Sequence, residues 1–256
     1  MPSSPEPVPI PRASAIDGSG DAGILFLVAA RREAQAVLRG LTARDDAAFA
    51  DVPEWTLISP VAGAGLVRTG VGKVNAGAAV ARFGPGHRLL VSIGIAGALP
   101  SEGAPGFALE IGSAVVARES AYADEGLLAP AGFSDLAAMG FAPGPAHARG
   151  PTFAGDVSAV GALTSAGLRV VRVATVSTCS GTEALAREVV RRTGAQAEAM
   201  EGAAVLHAGA RLGLPAVEVR VISNTTGDRD RQVWALDRSL DALREVTARV
   251  WAALRR

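Results

Sequence analysis

The chain has 256 residues, and 25 basic side chains balance 25 acidic ones. Zero net charge argues against a general nucleic-acid binder, a polybasic membrane tether and an acidic disordered tail. One cysteine, Cys179, forbids an internal disulfide and points to a reducing compartment, the cytoplasm; with three histidines it is a poor ligand supply for a dedicated zinc or iron site.

Residues 1–22 are rich in Pro, Ser and Gly, lack the apolar run of a signal peptide, and read as a disordered tail. Residues 23–256 then read as one catalytic-size domain, and no stretch is apolar for long enough to span a membrane. Ile24–Ala30 is a continuous apolar run, the pattern of a strand covered on both faces, and a helix starts near Arg31. Strands are predicted over Trp55–Val61 and Gly65–Thr69, followed by a Gly70-Val71-Gly72 turn and a helix over Lys73–Arg82. Arg88–Ile95 and Ser113–Arg118 are further strands. Residues 122–152 are loop-like, with a short helix around Ser134–Met139.

Asp156 is placed to cap a helix over Val157–Ser165, and Val170–Val176 is a β-branched strand. Ser180 to Glu183 has capping-box spacing for a helix over Glu183–Arg192. Ala195–Met200 reads as a strand and Glu201–Leu212 as a helix stopped by Gly213 and Pro215. Ala216–Ser223 is the last strand. The final helix, Asp237–Leu254, carries Leu240, Leu243, Val246, Val250 and Leu254 on one stripe. Such alternation implies one α/β domain with a largely parallel or mixed sheet. Ligands in such sheets bind beyond the carboxyl ends of strands, which here are Ala30–Glu33, Gly94–Ala98, Met200–Glu201 and Ser223–Gly227.

Glu201 falls at a strand-to-helix junction, where a carboxylate is favoured by the helix dipole. It reads either as a plain helix-start acid or as an acceptor for two neighbouring sugar hydroxyls. Four blocks carry a more specific signal: Thr69–Asn75 (TGVGKVN), Gly94–Leu99 (GIAGAL), Met200–Ala204 (MEGAA) and Val219–Asn224 (VRVISN). In this order they resemble the nucleoside phosphorylase-I superfamily, which includes purine nucleoside phosphorylases and methylthioadenosine nucleosidases. The resemblance covers about residues 24–254. It implies a three-layer α/β/α fold with a central mixed, partly barrel-like sheet, no metal or cofactor, a small-molecule nucleoside as partner, and a homodimer or larger assembly. Two further stretches, Tyr122–Gly126 with Gly132-Phe133 and Ser223–Arg231 with Trp234, resemble the futalosine hydrolases of menaquinone biosynthesis.

The resemblance also distributes roles. Glu201 would hold the ribose hydroxyls, with Met200 against the sugar or simply in the core. Ile95 stands where phosphorylases place a phosphate-binding serine and Ser92 where they place an arginine, which points to water as the nucleophile. Glu33 falls where nucleosidases place the water-activating acid, and its flanking arginines would lower its pKa. Ile95, Ala96 and Gly97 would line the sugar and base. Asn224 stands where adenine-cleaving relatives carry aspartate; an amide suits the O6 and the N7 proton of a 6-oxopurine, though it also reads as a turn asparagine beside Ser223.

Leu185 would lie under the base, Trp234 would cover the site or be a buried structural side chain, and Arg229 or Arg231 would pair with the benzoate of futalosine unless they sit in a solvated loop. Cys179 is expected as a small packed side chain and the histidines as structural or exposed. The reaction so implied is hydrolysis of the N-glycosidic bond of futalosine to hypoxanthine and dehypoxanthine futalosine. A purine nucleoside phosphorylase, a methylthioadenosine-type nucleosidase and a non-catalytic nucleoside binder are the rivals.

Overall fold

A computed structural model describes residues 23–44, 51–101, 108–141 and 151–255. The N-terminal tail expected over residues 1–22 and His147 lie outside the described residues. The first strand, β1 (Ile24–Val28), is wholly buried. It runs parallel between β3 (Ala64–Arg68) and β4 (Leu89–Ala98), so both its faces are covered and every position can be apolar. Its side chains alternate as a strand requires: Ile24, Phe26 and Val28 face one core, Leu25 and Leu27 the other.

The sheet continues from β3 to β2 (Ile58–Val61) on one side, and from β4 to β11 (Ala216–Thr225), β5 (Ala114–Tyr122), β9 (Arg169–Thr175) and β10 (Ala197–Ala199) on the other. β8 (Thr152–Ala154) adds to β5. The three-residue β10 pairs with β9 in parallel and with β4 antiparallel. Strands β4, β11, β5, β9 and β10 therefore close into a ring, and the expected mixed, partly barrel-like sheet is present.

Helices α1 (Arg31–Thr42), α3 (Val157–Ser165) and α6 (Leu236–Leu254) cover one face, and α2 (Lys73–Phe83) and α5 (Gly202–Leu212) the other. The remaining helix, α4 (Glu183–Thr193), packs its Ala186 and Val189 beside Ala174 and Val176. The apolar stripe read for the last helix is buried in full. Asp156 caps α3 by accepting from the Ala159 amide at 2.9 Å, and Gly213 ends α5 in the left-handed conformation. No helix among the described residues is long and apolar enough to cross a membrane.

Several expectations change. The helix placed at Ser134–Met139 is instead the second arm of a hairpin, β6 (Gly126–Ala129) with β7 (Gly132–Asp135), followed by a turn in which Asp135 accepts from the Ala138 amide. The capping box at Ser180 does not form. Thr182 caps α4, accepting from Leu185 N, and Ser180 turns to Glu198 instead. Strands β4, β5 and β11 run past the predicted ends because ring closure gives their small and polar terminal residues ladder partners. The strand predicted from Trp55 begins only at Ile58.

Helices α1 and α6 meet at Gly40, where a Cβ would press on the Arg244 carbonyl and lie 2.7 Å from Thr247 Cβ. Gly77 in α2 has open space at the same atom. Gly40→Ala is expected to cost about 1–3 kcal/mol by overpacking, and Gly77→Ala to add about 0.5–1 kcal/mol through helix propensity. Thermal unfolding should show opposite shifts, a Tm lower by roughly 2–12 °C in the first and higher by roughly 1–4 °C in the second.

Candidate active site

Strand β11 begins as a β-branched segment with charges on alternate positions. Val217, Val219 and Val221 enter the core, so Glu218 and Arg220 share the opposite face, and both are buried. The Arg220 guanidinium donates from Nε to Glu218 Oε1 at 2.8 Å. Its Nη2 donates to Glu201 Oε2 at 3.1 Å and Ser92 Oγ at 3.2 Å, and its Nη1 to the Ile95 carbonyl at 3.4 Å. Glu218 accepts a further bond from the Ser120 hydroxyl. Burial alone would lower the Arg220 pKa, but Glu218, Glu201 and Glu33 outweigh it and hold the group above its ordinary range.

Two glycines make room for this cluster. A Cβ on Gly202 would overlap the Glu218 carboxylate. One on Gly94 would stand 2.6 Å from Glu33 Oε1 and 2.8 Å from Arg220 Nη1.

Glu33 sits in the first turn of α1, just beyond β1, and is buried. Its Oε1 accepts from the Ile95 amide at 2.7 Å and its Oε2 from the Ala30 amide at 3.0 Å. The flanking arginines do not act as expected. Arg31 pairs with Asp51 and Arg32 with Asp237, all of them well exposed. Burial instead pushes the Glu33 pKa up; the Ile95 amide opposes it, Glu201 adds to it, and Arg220 opposes it.

Glu201 occupies the N-cap position of α5, but its carboxylate turns away from that helix. It accepts from the Gly72 amide at 3.1 Å and from Arg220. Gly72 has φ +100° and Gly70 φ +85°, so the turn that aims this amide needs glycine at both places.

Strand β11 carries a bulge between Ile222 and Asn224. Ile222 pairs with Ala96 and Asn224 with Gly97, so the extra residue, Ser223, turns Asn224 to the face opposite Arg220 and Ile222. The Ser223 hydroxyl donates to Asn224 Oδ1 at 2.8 Å, and Asn224 Nδ2 donates to the Thr225 carbonyl at 2.8 Å. These partners fix which end of the amide is which. Each end keeps one further hydrogen-bonding position.

A cavity of about 410 Å³ opens here, a volume suited to a small ligand. It brings together Glu33, Glu201, Met200, Ser223 and Asn224 with the Ile95-Ala96-Gly97 segment. Arg229 and Trp234 form part of its wall; the guanidinium lies 5.0 Å from the indole ring, which donates to Gln232 Oε1. Two expected residues do not line it. Leu185 is exposed on the first turn of α4, and Arg231 points into solvent, 3.8 Å from Asp228. Cys179 is exposed in the wall and not packed away, and burial beside Glu198 and Glu201 pushes its thiol pKa up, away from an activated thiolate.

The single lysine, Lys73, is held by Asp124 and Glu125 over the Tyr122 ring, outside the cavity. His207 stacks on Phe153 and bonds Tyr122, and His87 is partly buried, in keeping with structural roles. Among the described residues no group of three or more His, Cys, Asp or Glu is arranged to hold a metal.

Sequence reasoning gave no role to Arg220, Glu218 or Glu198, although all three lie in segments it singled out. The available signal was a glutamate and an arginine two apart in an otherwise Val/Ile strand, since charges are buried only when paired.

A sequence model described as the phosphorylase superfamily matches residues 30–256. The chain belongs to that superfamily. It is 38% identical to a futalosine hydrolase of Acidothermus cellulolyticus over 170 residues, 65% of this chain and 66% of the relative. It is 36% identical to one of Thermus thermophilus over 198 residues, 74% of this chain and 83% of the relative. The solved futalosine hydrolase of Helicobacter pylori superposes with a TM-score of 0.65 at 18% identity, covering 90% of this chain and 96% of that one. That likeness establishes the nucleoside phosphorylase type of fold expected from the four blocks.

Removing Arg220 would leave Glu218, Glu201 and Glu33 buried without their common cation. Arg220→Met is therefore expected to cost about 3–5 kcal/mol, measured by urea unfolding.

Proposed function

We propose that this protein hydrolyses the N-glycosidic bond of futalosine, releasing hypoxanthine. The observation that carries the reading is Glu33, a buried carboxylate with a raised pKa at the cavity wall, bound to the amide of Ile95. Ile95 is where superfamily phosphorylases would offer a serine to phosphate. Here its side chain is aliphatic and its amide already serves an anion. Arg220, the nearby cation, is engaged by Glu218, Glu201, Ser92 and the Ile95 carbonyl. A second anion beside Glu33 and Glu201 would be repelled, whereas water would be oriented and deprotonated.

In this reading Glu201 accepts the two ribose hydroxyls, braced by Gly72 and Arg220. Asn224 accepts a hydrogen bond from the N7–H of the leaving base through Oδ1 and donates to O6 through Nδ2, using the positions left free by Ser223 and Thr225. As the bond from the anomeric carbon to N9 breaks, its electron pair passes to the purine, which takes up a proton from solvent at N7. Water adds to the anomeric carbon and its proton passes to Glu33, which returns it to solvent, so that one water is consumed overall. No step calls for a metal or redox cofactor.

Arg229, steadied against Trp234, pairs with the benzoate, and Arg231 does not. The 36–38% identity to futalosine hydrolases supports this substrate over a methylthioadenosine-type nucleoside, as does asparagine at position 224. Residues 23–256 form the catalytic domain of an assembly of two or more copies in the cytoplasm.

Incubation with futalosine, inosine and methylthioadenosine, with and without phosphate, tests the reading through release of free base. Phosphate-independent release of hypoxanthine from futalosine is expected, and phosphate-dependent formation of a sugar phosphate would overturn it. Glu33→Gln and Asn224→Ala should each lower kcat more than tenfold.

The base form of Glu33 is lost as pH falls through its folded-state pKa, which burial raises. The acid limb of kcat/KM should therefore lie above the ordinary glutamate range, as read from a pH profile. Arg229→Ala should raise KM for futalosine at least tenfold and KM for inosine less than threefold, since inosine has no benzoate.

A further inference from the structure

A second buried carboxylate faces the cavity with no part in the steps above. Glu198, the middle residue of β10, lines it and is only 5% exposed. No salt bridge among the described residues reaches it. Its two oxygens accept from one residue, Oε1 from the Ser180 amide at 2.9 Å and Oε2 from the Ser180 hydroxyl at 2.5 Å. Each oxygen retains a lone pair. A buried carboxylate with neither a cation nor a full set of donors calls for another donor.

Its place in the sheet says where that donor comes from. Glu198 pairs in register with Gly97 of β4, and on the other side of β4 Asn224 pairs with the same Gly97. Residues in register share a face, so the two side chains rise from the same side of three adjacent strands, their Cα atoms at most about 10 Å apart. Gly97 itself carries no side chain, and the space a Cβ would take is filled by the Thr226 methyl and the Asn224 amide. A Cβ on Gly97 would stand 2.8 Å from Thr226 Cγ2 and 3.1 Å from Asn224 Nδ2. A flat ring in the cavity that Gly97, Thr226, Asn224 and Glu198 line can meet Asn224 at one edge and Glu198 at the next.

We propose that Glu198 reads the N1–H of a 6-oxopurine leaving group, completing with Asn224 the recognition of three consecutive polar positions, N1, O6 and N7. This inference rests on the purine reading above. Hypoxanthine presents a donor at N1 and an acceptor at O6, matched by a carboxylate and an amide NH2. Adenine presents a lone pair at N1, which would face the carboxylate with like polarity and leave it unsatisfied. Buried polar groups reject a ligand lacking the matching donor more strongly than apolar pockets reject a missing methylene. Ser180 positions the carboxylate for this contact.

The test is calorimetric binding of hypoxanthine, 1-methylhypoxanthine and adenine to the full-length protein and to Glu198→Gln, Glu198→Ala and Ser180→Ala. The unmodified protein is expected to bind hypoxanthine at least tenfold tighter than either other base. Glu198→Gln should bring hypoxanthine and adenine within about threefold, because the amide can donate to the adenine N1. Glu198→Ala should do the same for hypoxanthine and its N1-methyl form. Ser180→Ala should keep most of the discrimination.

Equal binding of hypoxanthine and 1-methylhypoxanthine by the unmodified protein would overturn the proposal without recourse to any variant. So would unchanged discrimination in Glu198→Gln, or its complete loss in Ser180→Ala, which would make Glu198 only a latch for residues 179–181. Turnover of futalosine by the unmodified protein is read separately. Its absence would reject the futalosine assignment while leaving the base preference intact, and turnover without N1 discrimination would reject the role of Glu198 alone.

Discussion

Arg220 carries one positive charge into a place from which water is largely excluded, and three carboxylates gather around it. Glu218 lies on the same strand, Glu201 comes from the junction of β10 and α5, and Glu33 from the start of α1. Each acid alone would be costly to bury, and the guanidinium alone would be too. Together they still leave more negative than positive charge. At Glu33, which takes no hydrogen bond from Arg220, burial raises the pKa and the neighbouring Glu201 adds to it. The arrangement that stabilises the fold locally thus also favours the role of base proposed for Glu33.

This cluster exists only because the backbone comes unusually close. Gly94 lets Glu33 and Arg220 meet across β4, and Gly202 leaves the volume that the Glu218 carboxylate fills. The glycine-rich blocks at these positions are therefore spatial requirements of buried charge as much as turn signals. Ring closure by β10 supplies the rest, since it carries Glu198 to the edge of β4 and ends beside Glu201.

Much of this was legible in the residues. The unbroken apolar run of β1, the stripe on α6, the cap at Asp156 and the left-handed stop at Gly213 follow from local rules, and all four appear. Glu201 and Asn224 could be singled out because each stands at a strand end in a block of known type, and Glu33 because it follows the first strand where nucleosidases place an acid. Other features depended on long-range pairing that no local pattern encodes. A three-residue strand that pairs with two neighbours gives no periodicity to read. Ser180 matched a capping box, but a buried carboxylate 18 residues away was the stronger attraction. Arg31 and Arg32 adjoin Glu33 in sequence, yet on a helix neighbouring positions point in different directions, and both reach solvent partners. The hairpin over 126–135 gives no strand pattern to read because its strands are short and mostly exposed.

The bulge at Ser223 has a further consequence. Side chains on a strand alternate, so one strand ordinarily offers its residues to two faces in a fixed rhythm. The extra residue shifts that rhythm by half a period midway along β11. Before the shift, Arg220 stands with the carboxylates. After it, Asn224 stands with Glu198. A single continuous strand thereby holds the group that organises the acids and the group proposed to meet the base, four positions apart, without asking either to twist out of line. Deleting Ser223 would remove the donor that holds the Asn224 amide and would also turn Asn224 away from Glu198, so the arrangement of this wall depends on a residue count as well as on residue identity.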